Sequence, residues 1–138
     1  MNREIKFRGL VADEPSTWVY GYLVSDNMIS QVEEREDSKC CGVGTFYVKP
    51  ETVGQYTGLK DTSGKKIYEG DLLKYKEADS EVSGIDEVFY NDEYGTMEVA
   101  INRKRYDTEV LGYYLSRLSI DTKYEVIGNV YEVENDRN

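Results

Sequence analysis

Residues 53–71, Val53-Gly54-Gln55-Tyr56-Thr57-Gly58-Leu59-Lys60-Asp61-Thr62-Ser63-Gly64-Lys65-Lys66-Ile67-Tyr68-Glu69-Gly70-Asp71, decide how this chain is read. They read as an aromatic strand, a polar turn at Asp61-Thr62-Ser63-Gly64, and a second aromatic strand that stops at a Gly70-Asp71 corner. Glycines at fixed places in such a tract mark specified backbone geometry, so Gly54, Gly58, Gly64 and Gly70 are assigned to turns and bulges.

The rest of the chain follows the same pattern. Ile5 and Phe7 alternate with Lys6 and Arg8, which predicts a half-buried strand over Glu4–Val11. In Thr17–Ser25, Trp18, Tyr20 and Tyr22 fall on one face and Val19 and Leu23 on the other, which predicts a central strand. Asp26-Asn27 turns it into a hairpin with Met28–Glu33. A polar loop over Glu33–Gly44 precedes a strand over Gly44–Lys49, which Pro50 ends. Leu72–Lys76 is a further strand, Phe89–Asn91 and Thr96–Ile101 flank a second hairpin turn, and Tyr124–Val133 alternates as the last strand. Only Val110–Leu118 carries a helical stripe, through Leu111, Tyr114, Leu115 and Leu118, and Gly112 limits it to one or two turns. The expected fold is all-β, a mostly antiparallel barrel or sandwich with at most one short helix.

A length of 138 residues suits one domain that folds without a metal or disulfide staple. If it is subdivided, the split falls between an N-terminal lobe, 1–50, and a barrel lobe, 51–134. The hydrophobic share of 39% against 32% charged is that of a globular chain rather than a disordered one. Thirteen tyrosines against three phenylalanines favour half-buried sheet faces whose hydroxyls reach water or a partner. The start of the chain lacks the apolar core of a signal peptide and no apolar run is long enough to span a membrane, so the expected location is the cytoplasm.

The net charge of −10 repels a phosphate backbone, which disfavours general nucleic-acid affinity. The charges are nevertheless segregated. Glu77, Asp79, Glu81, Asp86, Glu87, Asp92, Glu93 and Glu98 occur without an intervening base, and Arg103, Lys104 and Arg105 follow. The run reads either as a solvated face with local ion pairs or as an acidic surface for a basic partner.

Four landmarks in order carry a family likeness. They are Arg3-Glu4-Ile5-Lys6-Phe7-Arg8, then Trp18-Val19-Tyr20-Gly21, then the tract at 53–71, and last Tyr124-Glu125-Val126-Ile127-Gly128-Asn129-Val130-Tyr131-Glu132. Together they resemble the YopX family, and they span nearly the whole chain, with Glu77–Ser119 contributing least. The resemblance implies a compact, mostly antiparallel β-fold encoded by phages and prophages, and brings no catalytic residues with it. The Gly70-Asp71 corner before Leu72-Leu73-Lys74-Tyr75 also resembles the entry to an SH3-like barrel strand.

Chemistry finds few footholds. Without histidine, the usual general base and the usual activator of Ser or Cys are missing. Cys40 and Cys41 are adjacent, too few for a zinc site and badly placed for a disulfide, and are read as reduced thiols in a loop. Ser63-Gly64-Lys65-Lys66 formally contains S-x-x-K but lies in a polar turn rather than at a helix start, so the match is accidental, and Gly42-Val43-Gly44 lacks the third glycine and following helix of a dinucleotide fingerprint. Asp61-Thr62-Ser63-Gly64 starts like a calcium loop but has Lys66 where that loop needs glycine. No catalytic, cofactor or metal residue is therefore assigned.

The best binding candidate is the cluster Tyr56, Lys60, Lys65, Lys66 and Tyr68, since rings beside lysines stack bases and neutralise phosphates. Against it stands a plainer reading in which the tyrosines are core and the lysines solubilise the turn. The expected function is a non-enzymatic accessory protein that binds a host or phage protein, with homo-oligomerisation also compatible. The alternative is a small β-barrel nucleic-acid binder using the Tyr/Lys hairpin.

Overall fold

A computed structural model of the chain describes residues 3–14, 16–31, 43–76, 84–116 and 122–132. Cys40, Cys41 and most of the loop expected at 33–44 lie outside the described residues, as do Glu77, Asp79 and Glu81. The chain divides into two compact units, Met1–Gly58 and Leu59–Asn138.

Eleven strands are defined in the described residues. They are β1 (Phe7–Leu10), β2 (Trp18–Ser25), β3 (Met28–Gln31), β4 (Gly44–Tyr47), β5 (Gly54–Lys60), β6 (Lys66–Tyr68), β7 (Asp71–Lys76), β8 (Ile85–Asn91), β9 (Thr96–Ala100), β10 (Thr108–Val110) and β11 (Lys123–Asn129). One α-helix, α1 (Leu111–Ser116), follows β10, with short 3-10 turns at Pro50–Thr52 and Ile101–Arg103 and a helical turn at 130–132. The fold is all-β and antiparallel, with slightly more helical turn than the sequence suggests. One sheet runs β4-β3-β2-β1-β5-β6 and the other β10-β9-β8-β7-β11. Both orders are open, so no barrel closes among the described residues. The strand expected to enter an SH3-like barrel, β7, is instead an inner strand of the open five-stranded sheet, because β11 returns along its second side.

In the first unit β2 lies between β1 and β3, the central place predicted for it, but only its first half is covered: Tyr22, Leu23 and Val24 are exposed. Val11, Val19, Ile29 and Val48 form the core, with Phe7, Phe46 and Val53 packed around them. Gly21 is set by close approach: a Cβ there would sit 2.0 Å from the Ser30 carbonyl oxygen. Past the end of β4, Val48 bridges Val11, and Ala12 donates to the Tyr47 carbonyl at 2.9 Å. Thr52 secures the 3-10 turn to β1, accepting from the Leu10 amide at 3.0 Å while its hydroxyl donates to Lys49 O.

In the second unit Ile67, Leu73, Val88, Val99, Leu111 and Tyr114 form a buried core. The helical stripe read at 110–118 resolves into α1, whose Leu111 and Tyr114 are its buried residues. Val88 and Val99, directly opposed across β8 and β9, share the face that α1 covers. Opposed apolar pairs of this kind are the unit from which sheet stability is built.

Candidate functional site

The tract at 53–71 spends its polar groups on the fold. Asp61 opens the turn after β5, and its Oδ1 accepts from the Ser63 amide (3.0 Å), the Ser63 hydroxyl (2.9 Å) and the Lys65 amide (2.8 Å). Its Oδ2 accepts from the Val126 amide on β11 at 3.0 Å. Beside it, the Thr62 amide and hydroxyl both donate to the Tyr124 carbonyl, at 3.1 and 2.8 Å. These bonds occupy the edge of β11 opposite β7, where an unpaired strand edge would otherwise recruit other chains. Burial alone would raise the Asp61 pKa. The bonds from Val126, Lys65 and Ser63 outweigh it and hold the carboxyl below its ordinary value.

The second end of the tract works in the same way. Gly70, at a φ of 93°, donates its amide to Val88 O at 2.8 Å and accepts from the Val130 amide at 3.0 Å, while Asp71 Oδ2 accepts from the Tyr68 amide at 2.7 Å. A residue with a Cβ is strained at that φ, and the backbone there must reach β8 on one side and the helical turn that follows β11 on the other. The half-resemblance to a calcium loop is thereby explained: the aspartate and the polar turn bind backbone donors.

The five predicted binding residues divide. Tyr56 is 7% exposed and lies in the first unit; Tyr68 is 3% exposed, beside the second unit's core. Neither ring face is open for a base to stack on. Lys60 and Lys65 are exposed and Lys66 half-buried around the turn. The structure thus gathers the lysines at the β5–β6 turn, with neither predicted tyrosine ring open beside them.

The acidic run does not form one surface. Asp86 and Glu87 are adjacent on β8 and so project to opposite faces, yet both are buried, as is Glu98 on β9. Asp86 Oδ2 accepts from the Tyr114 hydroxyl at 2.7 Å and Oδ1 from the Asn102 amide at 2.8 Å. Burial, then that bond to Asp86, pushes the Tyr114 hydroxyl well above the usual phenol range. Glu87 receives Arg103 Nε at 3.3 Å and also pairs with Arg105 Nη2. The Thr96 hydroxyl bonds Glu98 and, against the effect of burial, keeps its carboxyl below the ordinary range with help from Thr108 and Asn91. Of the run's described acids, only Asp92 and Glu93, in the β8–β9 turn, are exposed.

Two features escaped the sequence reading. The first is an aromatic sheet face in the first unit. The register sets Tyr22 opposite Ser30, Ser30 opposite Thr45, and Met28 opposite Tyr47, so these residues share one face, with Trp18 and Tyr20 farther along β2. Tyr22 is 57% exposed and Tyr47 63%, while Met28 between them is half-buried. The alternation at 18–22 was visible; which side would stay open was not. The second is the loop after β9, where Asn102 and Arg103 take left-handed conformations (φ 52° and 63°) and Tyr106 stands 84% exposed. The basic triplet was its signal, but the neighbouring tyrosine had no pattern to mark it.

No group of three or more potential metal-ligating His, Cys, Asp or Glu side chains occurs among the described residues, and no helix there is long and apolar enough to cross a membrane. What fold and surface define is an antiparallel β protein whose most specific sequence tract is spent on closing strand edges. A family model described as YopX protein matches residues 6–135, and the chain belongs to the YopX family. No curated protein matches the chain in sequence.

Proposed function

We propose that the chain is a non-enzymatic accessory protein of phage or prophage origin that binds another protein in the cytoplasm of the bacterial host. The observation that carries this reading is the aromatic face of the first unit, on which Tyr22 and Tyr47 are both more than half exposed beside Met28. Tyrosine, tryptophan and methionine are enriched where interfaces form, because they offer large rigid or adaptable contact area with few charges to desolvate. The absence of histidine and the engagement of Asp61, Asp86, Glu87 and Glu98 by internal donors support a role without catalysis.

The test is capture from a bacterial lysate with wild-type protein and with Tyr22→Asp/Tyr47→Asp. Both side chains are largely solvent-exposed, so the double variant should keep its thermal midpoint. A partner retained by the wild type and lost by the variant supports the reading; equal retention by both, or none by either, contradicts it. A second copy of the chain is the other occupant this face would suit, and sedimentation velocity on the same pair of proteins reports it.

A further inference from the structure

We propose that the loop at residues 101–107 binds single-stranded nucleic acid, its basic side chains on the phosphates and Tyr106 against a base. Equipment of this kind needs an open aromatic ring beside cations, and here it is present. Arg103, Lys104, Arg105 and Tyr106 are all exposed, within four consecutive residues.

The loop is also held in shape from beneath. Backbone bonds close it on itself, Ile101 N to Asp107 O at 2.9 Å, Lys104 N to Ile101 O at 3.0 Å and Asp107 N to Lys104 O at 2.9 Å. Asp86, itself fully buried and fixed by Tyr114, takes the Asn102 amide and secures the left-handed pair at 102–103. Glu87 engages one nitrogen of each arginine, and the Arg105 guanidinium lies 4.0 Å over the Phe89 ring. The planar guanidiniums are thereby oriented with further N–H donors left for phosphate oxygens, so little side-chain freedom remains to be lost on binding. The side chains of Lys104 and Tyr106 make no hydrogen bond or ion pair within the described residues, and they are the groups a ligand would meet first.

The net charge of −10 does not forbid this contact. The exposed acids of the β8–β9 turn stand at the other end of β9, whose five residues span about 17 Å. That distance is about twice the screening length of ~8 Å at physiological salt. Within residues 101–107 three bases stand against one acid, Asp107, while Asp86 and Glu87 beneath the loop are buried and already engaged by the Asn102 amide and by the two arginines.

Fluorescence anisotropy of a fluorescein-labelled fifteen-residue oligothymidylate, titrated with the protein at 50 mM salt, tests the proposal. Binding is expected to weaken with salt at a log–log slope of about −2, roughly twentyfold between 50 and 200 mM. Lys104→Glu should weaken it about tenfold, and Tyr106→Ala roughly 5- to 150-fold, the range for loss of one stacked base. Neither substitution removes an internal contact, so thermal midpoints should match the wild type. Lys65→Glu/Lys66→Glu and Tyr22→Asp/Tyr47→Asp should bind as the wild type does, which keeps this result separate from the protein-binding reading. No anisotropy change at 50 mM salt would overturn the proposal, as would binding indifferent to both loop substitutions. Binding lost in Lys104→Glu but intact in Tyr106→Ala would overturn the assignment to nucleic acid in favour of a bare polyanion.

Discussion

Asp61 ties its own turn to β11 through a single carboxylate. Its two oxygens hold four donors, three in its own turn and one on β11. Because its folded-state pKa is depressed, its contribution is fully present above its ordinary value of 3.8 and is lost as pH falls below it. Urea unfolding between pH 2 and 5 should therefore show a stability loss in the wild type that is smaller in Asp61→Ala. At neutral pH, Asp61→Ala should cost about 1–3 kcal/mol, the penalty for leaving inward-facing amides without an acceptor. Tyr114→Phe should cost a similar ~1–3 kcal/mol, since it strips a donor from a buried carboxylate while leaving the ring packed. By contrast, of the turn lysines Lys60, Lys65 and Lys66, the two exposed ones should change stability by no more than about 0.5 kcal/mol per site in Lys60→Ala/Lys65→Ala, as surface positions do. Those lysines, together with Tyr56 and Tyr68, were the binding cluster that the sequence offered. Residue types and spacing revealed rings beside cations. They could not reveal that Tyr56 falls on the buried side of β5's alternation, or that Ile67 and Tyr68 on β6 are buried in succession.

At the scale of elements, most strands were legible because their apolar residues alternate or cluster between turn signals, as in β2, β3 and the β8–β9 hairpin. β10 was not. Three residues, Thr108–Val110, give no period to detect, and the strand exists because Val99 and Ala100 offer a ladder for it. β8 misled for a different reason. A strand covered on both faces can bury adjacent acids when each finds donors, so Asp86-Glu87 resembled solvent-facing charge. Gly21 supplies the sharpest test of element packing. Gly21→Ala would press a methyl group into the Ser30 backbone of the paired strand, where no side-chain rotation relieves it. The expected loss is about 2–3 kcal/mol, read as a lower urea midpoint with an unchanged slope.

For the whole molecule, the two units each have a hydrophobic core, and the family match extends across both. The family was legible from four ordered landmarks because each encodes backbone geometry: two strands of the first unit, the edge-closing tract and β11. Function was not legible in the same places, since residues committed to the fold have few groups left for a partner. With a sequence pI near 4.5, solubility should pass through a minimum near that pH, where self-repulsion vanishes.

The most distinctive tract of this chain closes the edge of β11 rather than presenting a binding site. Amide hydrogen exchange at Val126 tests it most directly. Slow exchange is expected in the wild type, with local loss of that protection in Asp61→Ala while the Val99 and Leu73 amides of the core stay protected. Fast exchange at Val126 in the wild type, or protection unchanged by Asp61→Ala, would contradict it.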